Sequence, residues 1–395
     1  MVDFRPDTPQ GEPEEYFKDL TPRLWLSRMA NGQHYLGDWV TNEDVAKDID
    51  HLIEDPDTKV IFFSVALCDY TGNVWSSPLG SPVPTPSGKS QPRLKTSEGP
   101  QTLILTPAEK ILGRIRKERK DIFLVAFKTT AGATPQEQYE AGLSLLKRNS
   151  CNLVLANDLH TRLNMVIVPE LGRYYETTDR RVALEGLIRM ASARHTGTFS
   201  RTSIEEGPLL PWGEAPETLR RVVEHCIQRG AYRPFNDITV GHFGYTTPYP
   251  NSFLYSSRRK RNFNKPEDRD LVKVMFREDG DPIAYGGKPS AGARSQHLVL
   301  SKHYPIYDCI LHFHCPLKPG STVNVRPQHD FECGSLECGV NTREGLQVRH
   351  LDGVAAVMLD QHGPNILFHH NTRPEHIIAF IEANFDLTKR TGDDP

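Results

Sequence analysis

The sequence predicts an α/β protein of two domains, and three observations predict it. The chain has 395 residues, more than one core of the usual roughly 100–200 residues holds. Its first half alternates continuous apolar runs with helical stretches, as in a parallel sheet covered by helices. After residue 230 the texture changes to short strands and turns, the pattern of a mixed, mostly antiparallel sheet. The expected layout is a flexible lead-in at 1–22, a first domain at 23–195, a linker at 196–215 and a second domain at 216–390.

The elements follow in chain order. Pro6, Pro9, Gly11 and Pro13 break any regular pattern in the lead-in. VIFFSVAL, from Val60, is continuous and rich in β-branched and aromatic residues, which suits a strand buried on both faces. Residues 76–100 carry five prolines before Arg93 and read as a long loop. Pro107 is expected to open a helix through AEKILGRIRKERK. IFLVAF (122–127) is a second buried strand, 135–149 a helix opened by Pro135, and NLVLAN (152–157) a third strand. Residues 179–195 form a helix rich in Arg and Leu. EEGPLLPWGEAP (205–216), with three prolines and two glycines, lies in the linker. Helix 216–230 has Pro at its start and Gly at its end. SFLYS, LVKVMF, DCILHFH and AAVMLD are strands, and RPEHIIAFIEANF is the last helix.

Composition excludes several classes. Net charge is −3 and the pI about 6.6, so no basic field draws the chain to nucleic acid or an anionic membrane. No run approaches the ~20 apolar residues of a membrane span. The acidic, Pro-rich start is not a signal peptide. Seven cysteines without an export signal read as free thiols in a reducing compartment, and the expected location is cytoplasmic.

YDCILHFHCP (307–316) carries the most informative chemistry. Side chains alternate along a strand, so His312 and His314 share a face while Leu311 and Phe313 point into apolar packing. His362, where a buried strand meets a Gly-Pro turn, is a third candidate. Three imidazoles leave a coordination position open, the pattern of a catalytic metal site. The plain alternative is three ordinary strand-end histidines.

The segment KPSAGARSQHLVLSKHYPIYDCILHFHCP (288–316) resembles the class II aldolase/adducin family: a Pro-Ser motif at Lys288-Pro289-Ser290, a helix at 294–303 and a His-x-His strand ending, with His362-Gly363 in place of the third ligand. The resemblance covers about residues 216–390 and implies an α/β/α domain. It also implies a divalent metal, zinc first with iron or manganese as alternatives, bound by His312, His314 and His362. In that family the metal polarises a carbonyl or stabilises an enolate, from which aldol cleavage, epimerisation or dehydration follows. The family's carboxylate just after Pro-Ser-Ser is missing here, where Ala291-Gly292-Ala293 follows Ser290. Glu332 and Glu337, in HDFECGSLECG (329–339), are the nearest replacements. Glu337 is taken as the candidate proton shuttle, against a glycine-rich turn with solvated glutamates. Ser257 and Arg258, in SSRRKRNFN (256–264), occupy the place of the family's phosphate-binding loop. With Ser290 they are the expected substrate contacts; a solvated basic loop is the alternative. The resemblance further implies a small, phosphorylated substrate and a homo-oligomer.

Residues 59–190 resemble phosphopantothenoylcysteine synthetase, through SVALCDY (64–70), RLKTSEGPQTLILTPAEKIL (93–112) and LVLANDL (153–159). That implies a Rossmann-like domain binding CTP with magnesium. Asp69, Phe127, Asn157 and Asp158 are expected at strand ends, where nucleotides bind. Lys95, on the long loop, would meet the triphosphate and act in catalysis. The family's Gly-Gly-Thr turn and Asn-containing Ser-Ser-Gly segment are absent from residues 1–55. A CTP-dependent carboxylate–amine ligase, or an adducin-like protein without catalysis, are therefore alternatives to a metal-dependent lyase.

Overall fold

A computed structural model describes residues 2–6, 20–27, 36–39, 41–75, 83–85, 102–195, 197, 202–248, 253–278, 280–346 and 353–393. The fold is mixed α/β and is built on two large sheets, each covered by helices on both faces.

The first sheet has eight strands. In spatial order they are Arg173–Thr177, Asn164–Ile167, Leu153–Asp158, Phe123–Thr130, Val60–Phe63, Val2–Pro6, Leu20–Ser27 and Leu36–Trp39. The predicted buried runs at 60, 123 and 153 pair in parallel at its centre. The strands flanking this trio run antiparallel to it, so the sheet is mixed where a parallel one was expected. Val2–Pro6 lies in the expected lead-in yet pairs with Leu20–Ser27 and Val60–Phe63. The breakers cluster at 6–13 and leave residues 2–6 free to complete the open edge of Val60–Phe63. Helices α1 (Asn42–Glu54), α2 (Leu112–Glu118) and α3 (Pro135–Asn149) cover one face, and α4 (Arg180–His195) covers the other.

The α3 boundaries are the predicted ones. Thr134 Oγ1 accepts from Glu137 N, and the Glu137 carboxylate accepts from Thr134 N, while Pro135 needs no donor partner. Helix α2, by contrast, begins at Leu112 rather than at Pro107, because Thr102–Pro107 is a strand paired with Tyr70–Trp75. Tyr70–Trp75 also pairs with Val83–Thr85, so part of the predicted long loop is a third strand of this small sheet.

The second sheet has nine strands and is antiparallel except at its two edges. Its order is Ser203–Glu205, Pro282–Tyr285, Leu271–Phe276, Leu254–Ser257, His242–Thr246, Cys309–His312, Gly363–Phe368, Val354–Leu359 and Asn324–Arg326. The edge strand Ser203–Glu205 and the bridge from Leu210 to Leu271 bring the Pro-rich 196–215 stretch into this sheet. Helices α5 (Glu217–Gln228), α6 (Ala293–His303), α7 (Leu336–Gly345) and α8 (Pro374–Asn384) complete the layers. Leu219, Val222, Val223 and Cys226 of α5 and Ile377 and Ile381 of α8 pack with Phe243, Leu311 and Phe313 on one face. Val299 and Leu300 of α6 pack with Ile310, Val357 and Leu367 on the other. All seven cysteines are free. Among the described residues no helix is long and apolar enough to cross a membrane.

Candidate metal centre

His312 ends the strand Cys309–His312, opposite His242 on one neighbour and Asn365 on the other. Residues alternate faces, so with Leu311 and Phe313 in the α5–α8 core, His312 looks toward α6 and α7. His314 follows just past the strand. His362 sits in the turn between Val354–Leu359 and Gly363–Phe368. The three rings converge. His312 Nε2 lies 3.0 Å from His362 Nε2 and 3.0 Å from His314 Nε2, and all three residues are at most 4% exposed.

Proton bookkeeping makes this more than crowding. His312 Nδ1 is 2.8 Å from the Pro364 carbonyl, which can only accept, so Nδ1 holds the proton and Nε2 presents a lone pair. One lone pair satisfies one donor, yet two imidazole nitrogens approach it equally closely. A cation satisfies all three. Two nitrogens about 2.0–2.1 Å from one ion are 3.0 Å apart when they subtend roughly a right angle, so the observed spacing fits a shared metal. Burial pushes the His312 imidazole down to about 4, opposed by the Pro364 bond. Burial first, and then the neighbouring imidazoles, hold His314 and His362 well below the ordinary value. All three are therefore neutral imidazoles at neutral pH, the form a metal ligand requires. The Nδ1 atoms of His314 and His362 are buried without hydrogen-bond partners among the described residues.

The small cavity at this centre is lined by His242, Gly292, Ser295, His312, Cys333, Gly334, Cys338, His362 and Asn365. Sequence reasoning missed His242. Its ring centroid is 4.8 Å from that of His312, and its only signal was a histidine on a short strand after Gly241. A Cβ at Gly292 would meet His242 Nε2 at 2.5 Å, so this imidazole fills the space beside the position that lacks the expected carboxylate. Burial raises the thiols of Cys333 and Cys338, the latter to about 11.

The remaining predicted residues are placed elsewhere. Glu337 lies in the first turn of α7 and lines a different cavity, with Ala193, Gly197, Asp330, Phe331 and Ser335. Ser257 and Ser290 come together, Ser290 N donating to the Ser257 carbonyl at 2.8 Å. Their hydroxyls are engaged inside the fold: Ser257 Oγ accepts from Phe243 N, and Ser290 Oγ accepts from Gln296 Nε2. Arg258 pairs with Asp268 and Asp270 at 3.6 and 3.3 Å. Asp69 is an exposed partner of Lys110, six residues beyond Phe63 rather than at the strand end. Phe127 is mid-strand in Phe123–Thr130 and packs toward α4, a correction to its expected strand-end place. Asn157 and Asp158 do end their strand. Asn157 Oδ1 accepts from Thr129 Oγ1 at 3.3 Å. The Asp158 carboxylate accepts from Thr130 Oγ1 and from the amides of Gly132, Ala133, His160 and Thr161, which holds it well below the usual carboxylate range. Asp158 thus organises two loops with its own lone pairs. Lys95 lies outside the described residues.

A second cluster joins Asp308, His369 and His370. Here the Asp308 carboxylate already takes the His370 amide at 2.8 Å and its Nδ1. His369 Nδ1 accepts from Asn371 N at 3.1 Å, which leaves the proton on Nε2 and no lone pair facing Asp308. This is a hydrogen-bonded turn rather than a second open ligand set.

No protein-family model matches the sequence, and no curated protein matches it. Among solved structures the chain is similar to the DNA/pantothenate metabolism flavoprotein from Streptococcus pneumoniae, at 19% identity over 40% of this chain and 72% of that one, with a TM-score of 0.30. It is similar also to YgbL, provisionally an aldolase/epimerase/decarboxylase, from Escherichia coli (19% identity, 42% and 83% coverage, TM-score 0.30). The Klebsiella pneumoniae YgbL gives 19% identity, 41% and 84% coverage and a TM-score of 0.29.

Proposed function

We propose that this chain is a divalent-metal-dependent lyase-type enzyme, acting by aldol cleavage or condensation, epimerisation or dehydration on a small oxygenated substrate that carries an anionic group such as phosphate. The observation that carries the reading is the convergence of His312, His314 and His362 on one buried point, with His312 Nε2 fixed as a lone pair by Pro364. These three imidazoles would hold zinc, iron or manganese; when bound, the ion supplies Lewis acidity toward a substrate oxygen. His242 lines the same cavity and brings an imidazole outside the ligand trio, a group suited to holding or passing a proton beside the reacting atoms. A nucleotide-dependent ligase has less support, because Asp158 spends its carboxylate on neighbouring loops.

The test is metal content after reconstitution with zinc, manganese or ferrous iron and removal of excess. The chain should retain a single ion, and His312→Ala and His314→Ala should each lose it with unchanged far-UV circular dichroism. Equal metal in both variants overturns the ligand assignment. A carbonyl-release assay on hydroxy-carbonyl phosphates, abolished by chelation and restored by metal, tests the reaction class.

A further inference from the structure

The backbone around the third ligand is held by parts of the chain remote from it. His362 follows Gln361, whose φ is +54°, and precedes Gly363, whose added Cβ would lie 2.1 Å from the Phe313 carbonyl oxygen. Three contacts fix this turn. Tyr174, on the first sheet's strand Arg173–Thr177, donates its hydroxyl to the Asp360 carbonyl at 2.9 Å. Gly172 approaches so closely that a Cβ there would be 2.1 Å from the Gln361 carbonyl oxygen. Thr391 donates Oγ1 to the His362 carbonyl and its backbone N–H to the His314 carbonyl, each at 3.0 Å.

Thr391 therefore ties two ligands to each other through one residue, and it is only 5% exposed. It is itself seated on the first half. Tyr139 of α3 donates to the Leu171 carbonyl at 2.6 Å and reaches the Thr391 carbonyl at 3.4 Å. Gly392, at φ +88°, lies against Leu171 and the Tyr139 hydroxyl. The chain of contact runs from α3 and the Leu171–Tyr174 stretch, through Thr391 and Asp360–Gln361, to the carbonyls of His314 and His362.

We propose that Thr391 and Tyr174 are positioning residues for the metal centre, so that docking of the first half sets the spacing of His314 and His362 and with it metal affinity. This rests on the metal reading above. Metal sites tolerate only a few tenths of an ångström in ligand placement. Losing a group that orients a ligand typically weakens metal binding about 10–100-fold. The first half then acts on the centre without contributing a ligand to it.

The experiment is zinc affinity by competition with a chromophoric chelator, together with the visible spectrum of the cobalt(II)-substituted protein. Thr391→Val keeps the shape and removes the hydroxyl; Tyr174→Phe removes the other donor. Each should weaken zinc about 10–100-fold, and Thr391→Val should shift the cobalt bands. Thr391→Ser restores the donor and should restore both readouts. Lys260→Ala breaks a contact between the halves that does not involve the turn, Lys260 Nζ to Ser150 Oγ at 3.0 Å, and should leave affinity unchanged. Wild-type affinity and spectrum in both Thr391→Val and Tyr174→Phe overturn the proposal, as does an equal loss in Lys260→Ala. Should the unmodified chain bind zinc while these variants match it, only this inference fails. Should the unmodified chain bind no metal, the metal reading fails and takes this one with it.

Discussion

Replacing Arg194 by methionine should cost about 3–5 kcal/mol at pH 8, the usual penalty for removing one partner of a buried ion pair. Arg194 is fully buried on α4 and reaches across to the second half. Its Nη1 meets the Glu170 oxygens at 3.0 and 3.1 Å and Glu332 Oε2 at 3.5 Å, while Nε donates to the His329 carbonyl at 2.9 Å. All of these side chains are at most 5% exposed, so water does not screen the loss. The variant leaves Glu170 buried with the Cys333 amide, at 2.8 Å, still donating to it. A buried carboxylate without a counter-ion takes up a proton instead. Glu332, whose carboxyl burial already raises, loses the same cation, so the variant's stability is retained in acid and lost as pH rises. The penalty should be larger at pH 8 than at pH 5.5. Urea unfolding followed by circular dichroism at both pH values measures it. Arg194→Met with Glu170→Gln removes both charges and should recover more than half of the loss. A cost below about 1 kcal/mol at pH 8, the range of exposed pairs, would refute the reasoning, and so would a double variant no better than the single.

Glu332 shares one cation with Glu170, and burial pushes its carboxyl up to about 8, opposed by Arg194. Its contribution to stability is therefore present in acid and is lost as pH rises from the ordinary carboxylate range toward 8; Glu332→Gln should flatten that part of the pH–stability curve, and an unchanged slope counts against the assignment. Asp158 has the opposite sign: its depressed carboxyl contributes above the ordinary carboxylate pKa and loses that contribution as pH falls. Asp158→Ala should speed hydrogen exchange at the Gly132, Ala133, His160 and Thr161 amides while leaving those of Val125 and Val154 protected; equal protection at the four loop amides would exclude the loop role.

Sequence patterns made some of this structure readable and hid the rest for physical reasons. Helix α3 could be bounded because Thr134, Pro135 and Glu137 form a local signal that needs no tertiary context. The buried runs at 60, 123 and 153 were visible because a strand covered on both faces has no polar side. Helix α7 was invisible. Its buried positions are Cys338, Gly339, Asn341, Thr342 and Gly345, small or polar residues rather than an apolar stripe; Gly339 approaches Ser295 and Leu298 of α6, and Gly345 approaches Val357 and Arg326. The histidine trio was legible from the His-x-His spacing and the family resemblance. His242 was not, because its relation to His312 is one of strand register, fixed by a pairing 70 residues away in the chain. Nor does the sequence mark Glu337 as lining a different cavity from the histidines, since that depends on how α7 starts.

The turn that carries His362 sets a condition for anyone transplanting this centre. Placing three histidines on equivalent strands of another protein would not reproduce it, because Gln361 and Gly363 both hold positive φ and a neighbouring carbonyl leaves position 363 no room for a side chain. A graft would have to import the turn, its glycine and the threonine that braces it as a single cassette. The smallest portable version of the site is therefore discontinuous: the strand end bearing His312 and His314, the turn at 361–363 and Thr391.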